Sequence, residues 1–293
     1  MKRKTIYNII RMSFAVLLTA GIGSGCTERE LSERPDDGPL KIRIVWPGET
    51  AKEVSGGRLL LYRSDGALHK EIACGADGHE CRVPADTYTI LVVNADCANA
   101  GYMGHESAAA CCLYAEAHPT EESVVQHVRY VYSTGEGGIE VRPGNAASEV
   151  TLYPQNRVKH LHFDIDPDYV DDIAGMTLRM TGVVPSVRLA DGSDAQGETR
   201  HVLANTSAAD GGHYAADMSV FGWRGENIVT ATVRYTDGSE ETTLPLDIGE
   251  ELKALPAEGG TVNIVLALPD GGEITLTVTV KAWESGSGSG TVI

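Results

Sequence analysis

Apolar and polar residues alternate one by one along much of this chain, and a period of two is the signature of strands half-buried in a sheet. In the run at 274–283, Ile274, Leu276, Val278, Val280 and Ala282 fall on one face, with Thr275, Thr277, Thr279 and Lys281 on the other. Val229, Ala231, Val233 and Tyr235 alternate with Thr230, Thr232 and Arg234 in the same way. Residues 159–165 turn Leu161, Phe163 and Ile165 inward and leave His160, His162 and Asp164 on the outer face. Residues 40–46, 58–62, 88–93 and 150–153 read as further strands. Asp-Gly pairs at 65–66, 191–192, 237–238 and 270–271 punctuate the runs, and Asp-Gly between alternating segments is a strong hairpin signal. Helix is scarce. The alanine-rich stretch 107–117 is expected to form one short helix, and Asp247 with Glu250 has capping-box spacing for a turn or two at 248–255. The expected fold class is mainly β, in antiparallel sandwiches.

One strand series ends at 149–153, Pro154-Gln155-Asn156 interrupts, and a second series runs from Val158 to Trp283. This places a boundary at about residue 155, with an N-terminal β-sandwich at 40–155 and a C-terminal β-sandwich at 156–283. The Gly/Ser-rich tail at 284–293 is flexible by composition. The chain is 42% hydrophobic, enough for packed cores, and carries a formal charge of −17. Such an acidic surface repels phosphate backbones and excludes nucleic acid as a partner.

Residues 1–25 read as a targeting segment. Lys2, Arg3, Lys4 and Arg11 are basic, and the apolar run at 12–18 is too short to span a bilayer, which takes ~20 residues. Small residues at 20–25 then lead to Cys26 and resemble a lipobox, although Ile22 sits one place further back than the usual aliphatic position. Cys26 is therefore the expected lipidation site, and two acyl chains anchor stably where one does not. Residues 26–39 are polar, acidic and proline-bearing, and are expected to form a tether. Acidic residues directly after the cysteine also resemble a surface-export signal, so the expected location is the cell outer membrane, lipid-anchored and surface-exposed.

Candidate chemistry is sparse. Cys74, Cys81, Cys97, Cys111 and Cys112 all lie in the first half; Cys74 and Cys81 form a candidate disulfide across a short hairpin, with buried thiols as the alternative. His69 and His79 near them match no structural zinc spacing. His160, His162 and Asp164 share one strand face, either as a solvated ladder or as part of a metal site. Asp164, Asp166, Asp168, Asp171 and Asp172 begin like a calcium loop, but Tyr169 occupies the sharp-turn glycine position and Gly175 that of the bidentate glutamate. Trp46, Trp223 and Trp283 could stack on sugars or sit at core edges. No nucleophile elbow, phosphate loop or two-histidine zinc helix occurs, so no catalytic residue, metal or cofactor is assigned and no enzyme is expected.

Several stretches carry a family resemblance. Residues 83–94 follow a pattern of proline, alanine, glycine, any residue, tyrosine, hydrophobics and asparagine, with Asp86 in place of the glycine. Residues 150–154 followed by 158–166 look like an interdomain crossing, 180–187 like a strand turn, and Trp283-Glu284 like a final strand end. Behind Cys26 and its tether, these resemble the fimbrillin-like lipoproteins of Bacteroidota, in particular the minor-fimbrium anchor type. The resemblance implies two tandem transthyretin-like or Ig-like sandwiches, and fimbrial subunits as strand-donating partners through β-strand addition. Polymerising members are cleaved after an arginine. Here Arg34 precedes Pro35, a poor bond for proteolysis, which favours a subunit that keeps its lipid. The expected function is an outer-membrane-anchored surface lipoprotein, structural or adhesive, anchoring or accessory to a fimbria. The alternative is a stand-alone surface lipoprotein that binds glycan or protein.

Overall fold

The computed structural model describes residues 36–48, 54–168, 170–267 and 274–282. The targeting segment, Cys26, Tyr169, Trp283, the tail and the Asp270-Gly271 turn lie outside the described residues. The chain opens with β1 (Asp37–Ile44), β2 (Gly56–Tyr62), β3 (Leu68–Gly75), β4 (Gly78–Pro84) and β5 (Asp86–Asn94). Short strands follow: β6 (Ala100–Met103), β7 (Cys112–Ala115), β8 (Ala117–His118) and β9 (Glu121–Val125). Then come β10 (Tyr132–Val141), β11 (Ser148–Leu152) and β12 (Gln155–Asn156). The second half holds β13 (Lys159–Asp168), β14 (Ile173–Val183), β15 (Ser186–Arg188), β16 (Arg200–Asn205), β17 (Ser207–Ala208) and β18 (Tyr214–Val220). It ends with β19 (Ile228–Tyr235), β20 (Glu240–Thr242), β21 (Leu246–Asp247), α1 (Gly249–Ala254), β22 (Gly259–Ala267) and β23 (Thr275–Ala282).

An eight-stranded sheet in the order β11-β1-β4-β3-β2-β5-β10-β12 makes up most of the first half. It wraps around a core of Leu40, Ile42, Leu59, Leu61, Tyr88, Ile90, Val92 and Leu152. In the second half, the five-stranded sheet β17-β18-β13-β22-β23 faces β20-β19-β14-β16-β9-β8. Leu161, Phe163 and Ile165 from the first of these meet Leu178, Met180 and Ala231 from the other. The inward residues are those that the alternation predicts, because each strand turns successive side chains to opposite faces.

Strand pairing does not stop at residue 155. β8 and β9, from the first half, extend the sheet that β14 and β16 begin. In exchange β15, from the second half, completes a three-stranded sheet with β7 and β6. Between them lies a third core that draws on both halves: Leu60, Tyr62, Leu91, Val93 and Leu113 pack with Val158, Val184, Val187, Leu189 and Phe221. Consequently β2 and β5 are covered on both faces. Leu59 and Leu61 point into one core while Leu60 and Tyr62 point into another, all at most 1% exposed.

The Asp-Gly turns form where expected: Gly66 and Gly238 have φ of 84° and 86° and close the β2–β3 and β19–β20 hairpins. Other expectations need correction. Most strand pairs are antiparallel, but β1–β11, β13–β22 and β16–β9 are parallel, each joined by a long crossover that no short-range signal encodes. The helix expected at 107–117 is a single turn, with the Ala110 and Cys111 amides donating to the Ser107 carbonyl, followed by β7. Pairing of β7 on both sides, and burial of Leu113, outweigh alanine's helix preference over so short a stretch. α1 does form, but Asp247 accepts from the Gly249 amide at 2.9 Å and Glu250 pairs with Lys253 at 2.6 Å, so no capping box is made. The tether expected to reach residue 39 is shorter, because β1 already pairs with β4 from Asp37. Pro39 is tolerated there because β11 joins the other side of β1 only from Leu40 onward, so no ladder donor is missed.

Asp86, the departure from the glycine of the family pattern, has a defined role at the start of β5. Hydrogen bonds from Ser64, from Arg63 Nε at 2.8 Å and from the Thr87 amide at 2.7 Å hold its carboxyl down at about 2. Because the folded value lies below the ordinary one, the carboxylate contributes stability above about pH 4 that is lost as pH falls through about 2. Asp86→Asn is therefore expected to lower the urea midpoint at pH 7, with the difference from the parent vanishing near pH 2. A second prediction concerns the shared core: Leu91→Ala should cost about 2–5 kcal/mol, read by urea unfolding. Unfolding should stay a single transition, since Leu91 packs against residues of both halves; two separate transitions would contradict that coupling.

Candidate functional site

The segment between β9 and β10 crosses the seam between the halves, and its backbone is fixed from both sides. The Val128 amide donates to the Ser219 carbonyl of β18, and Arg129 exchanges two hydrogen bonds with Ala98. Asn94, 3% exposed, donates through Nδ2 to the Tyr130 carbonyl at 2.6 Å and accepts from the Tyr132 amide at 2.8 Å. The Arg157 amide donates to the Val131 carbonyl. Among the described residues its guanidinium binds backbone carbonyls and Ser133 alone, reaching Asp191 O at 2.7 Å and Ser133 O at 2.7 Å. Burial pulls the Arg157 pKa down, with Asp191 opposing.

This clamp holds Tyr130 at φ 54°, a left-handed conformation that a bulky residue adopts only when its surroundings impose it. Tyr130 is nevertheless 44% exposed. Beside it opens a cavity of about 380 Å³ lined by Arg129, Tyr132, Asn156, His160, Asp217 and Ser219, with Leu161 and Met218 at its floor. β13 and β18 place the polar groups in cross-strand register, His160 opposite Ser219 and His162 opposite Asp217. His160 Nδ1 lies 2.9 Å from Ser219 Oγ, and His162 Nδ1 lies 2.8 Å from Asp217 Oδ1. The protein crowding His160 pushes its pKa below the ordinary imidazole range, and Asp217 opposes this only in part.

His160, His162 and Asp164 do share the outer face of β13, but each turns to a different partner, Asp164 taking His213 at 2.9 Å. They do not converge on one point. Hydrogen bonding to Asp164 raises the His213 pKa. Asp166 and Asp168 continue outward along β13 and Asp171 and Asp172 are exposed beyond it; among the described residues no group of three potential ligands could hold a metal ion. Trp46 is a core-edge residue whose Nε1 donates to Ala76 O at 2.8 Å, and Trp223 lies under Lys159 Nζ at 4.8 Å. Neither offers an open stacking face at the cavity.

The staple expected between Cys74 and Cys81 is not formed; both are free thiols, as are Cys97, Cys111 and Cys112. β3 and β4 pair only at Gly75 and Gly78, beyond which β3 pairs with β2 and β4 with β1, so no ladder carries Cys74 alongside Cys81. Both cysteines pack against the first core instead, with Cys74 Sγ donating to Gly57 O. Burial raises all five thiol pKa values, that of Cys97 to about 12. The residues at this cavity come from strands far apart in sequence, so no local motif marks them. The one local signal was the polar outer face of β13.

No protein family and no curated protein matches the chain. Solved structures do. A candidate adhesin from Bacteroides ovatus superposes with a TM-score of 0.66 at 16% identity, over 82% of this chain and 92% of its own. A second candidate adhesin from Bacteroides ovatus gives 0.59 at 9% identity, over 84% and 95%. The fimbrial anchor protein Mfa2 from Porphyromonas gingivalis gives 0.57 at 11% identity, over 84% and 98%. At these identities the likeness is one of fold, and it extends over nearly the whole of each neighbour. No described helix is long and apolar enough to cross a membrane.

The clamp makes a direct prediction. Asn94→Ala leaves the Tyr132 amide without its acceptor and the Tyr130 carbonyl without its donor, which should cost about 1–3 kcal/mol. Native-state hydrogen exchange should show faster exchange concentrated at residues 129–133, whereas a uniform change across the chain would contradict the local role.

Proposed function

We propose that this chain is a cell-surface structural or adhesion lipoprotein, held at the outer membrane by lipid on Cys26, and that it anchors or accompanies a fimbria by β-strand addition. The observation that carries this reading is the position of β1, which enters the sheet between β4 and β11 shortly after the cysteine. A slot that the chain's own first strand fills needs no proteolytic opening, which suits a subunit that keeps its N-terminus. About eleven residues separate Cys26 from Asp37, a reach of at most ~40 Å. The first sandwich would therefore sit close to the bilayer, and the acidic surface would not add to membrane attachment. The fold shared with a fimbrial anchor protein and with candidate adhesins supports the same reading, and with it a non-enzymatic role.

Strand addition requires an edge with unpaired main-chain groups. β23 supports it: among the described strands it pairs only with β22 and forms one margin of the five-stranded sheet. A partner strand added there would extend a sheet whose inner face is already packed.

Replacing the acceptor thiol tests the anchor. Cys26→Ser should abolish metabolic labelling with a palmitate analogue and move the protein from the outer-membrane fraction to the soluble one. Continued labelling of the variant would refute lipidation at this residue. Cross-linking in intact cells, followed by purification, should recover a fimbrial subunit with the parent chain; recovery of no such subunit would refute the fimbrial role while leaving the anchor standing.

A further inference from the structure

We infer that the seam cavity beside Tyr130 is a binding site for a neutral sugar, of a size that takes one or two pyranose rings. The inference is independent of the fimbrial reading, since it rests on side chains of one chain alone. At about 380 Å³ the cavity lies at the lower end of ligand-site sizes, ~300–1,000 Å³, and it sits at the junction of two packed units, where such sites concentrate.

Tyr130 is the central observation. A tyrosine with φ 54° is less favourable there than glycine or asparagine, yet the chain holds it in place with hydrogen bonds to both neighbours and to its own carbonyl. The residue is left 44% exposed on the cavity wall rather than buried. Strain retained for an exposed aromatic has no packing benefit to offset it. A rigid, solvent-facing ring does suit stacking against the apolar face of a sugar, at little further loss of conformational freedom.

The polar groups around it fix the ligand class. Asp217 leaves 79% of its side chain exposed and supplies acceptors, while Arg129 supplies donors and has no carboxylate partner among the described residues. Hydroxyl groups donate and accept, so a polyol can satisfy both. An anionic ligand would meet Asp217 and the field of a chain with a formal charge of −17. Peptide capture by main-chain pairing is not favoured at the floor: β13 pairs on both sides, and on the outer edge of β18, which β17 covers only at Tyr214 and Ala215, the Ser219 carbonyl is already taken by the Val128 amide.

The test is saturation-transfer NMR on the full chain in detergent, with the methyl glycosides of mannose, galactose, glucose and N-acetylglucosamine at millimolar concentration and N-acetylneuraminic acid as the anionic probe. Transfer to the ring protons of at least one neutral glycoside is expected. Asp217→Asn and Tyr130→Ala should each weaken it about tenfold, and Tyr130→Phe should retain it. Tyr130→Gly separates binding from folding: it removes the backbone strain, so melting temperature should hold or rise while binding is lost. Absence of transfer from every neutral glycoside, preference for the anionic sugar, or binding unchanged in both Tyr130→Gly and Asp217→Asn would each overturn the assignment.

Discussion

The whole arrangement depends on burying β2 and β5 from both sides. Leu59, Leu61, Ile90 and Val92 are covered by the curled first sheet, while Leu60, Tyr62, Leu91 and Val93 need a second cover. That cover comes from β6 and β7, completed by β15, and from Val158 at the head of the second half and Phe221 just after β18. Fully burying one such side chain is worth about 1.5–3 kcal/mol, so leaving this face in water would expose a large share of the favourable energy available to the first half. Once the second half supplies the cover, the two halves cannot be independent beads. The β8–β9 pair running the other way, into the opposing sheet, makes the exchange mutual.

The seam then provides what a binding surface needs. Segments that cross it must satisfy their backbone groups from both sides, and Asn94, Arg157 and Ser219 do so for residues 128–133. A loop held in this way has little freedom to relax, which is how Tyr130 can stay in a left-handed conformation while its ring faces solvent. Rigidity from packing and exposure of polar and aromatic side chains are the same feature viewed from core and surface. The pairing of β1 between β4 and β11 is a parallel case, a terminal strand committed to its own sheet and so withheld from exchange.

Much of this was legible in the residues. The alternations at 159–165, 229–235 and 274–278 name the inward side chains of β13, β19 and the start of β23, because pleated strands leave no other option once one face is buried. The unbroken apolar runs at 59–62 and 90–93 already carry the mark of strands covered twice. The Asp-Gly turns at 65–66 and 237–238 follow from local sterics alone. Elsewhere local signals lost to tertiary pairing. Within alanine-rich 107–117, Cys112–Ala115 became β7 because strands on both sides offered it hydrogen bonds. Cys74 and Cys81, close in sequence, lie on strands that part after the turn and stay as half-buried free thiols against the first core.

What the sequence alone determined is thus the β class, the inward face of the long strands, the turn positions, and the acidic net charge. These depend on interactions within a few residues or on bulk composition. Only the tertiary structure decided the parallel pairs, the exchange of strands across residue 155, and the grouping of Arg129, Tyr130, His160 and Asp217 around one cavity. These residues are far apart along the chain, and nothing short of the folded sheets brings them together. The physical reason is that a strand's neighbour is chosen by which apolar face still lacks a cover, a property of the assembled protein rather than of any segment within it.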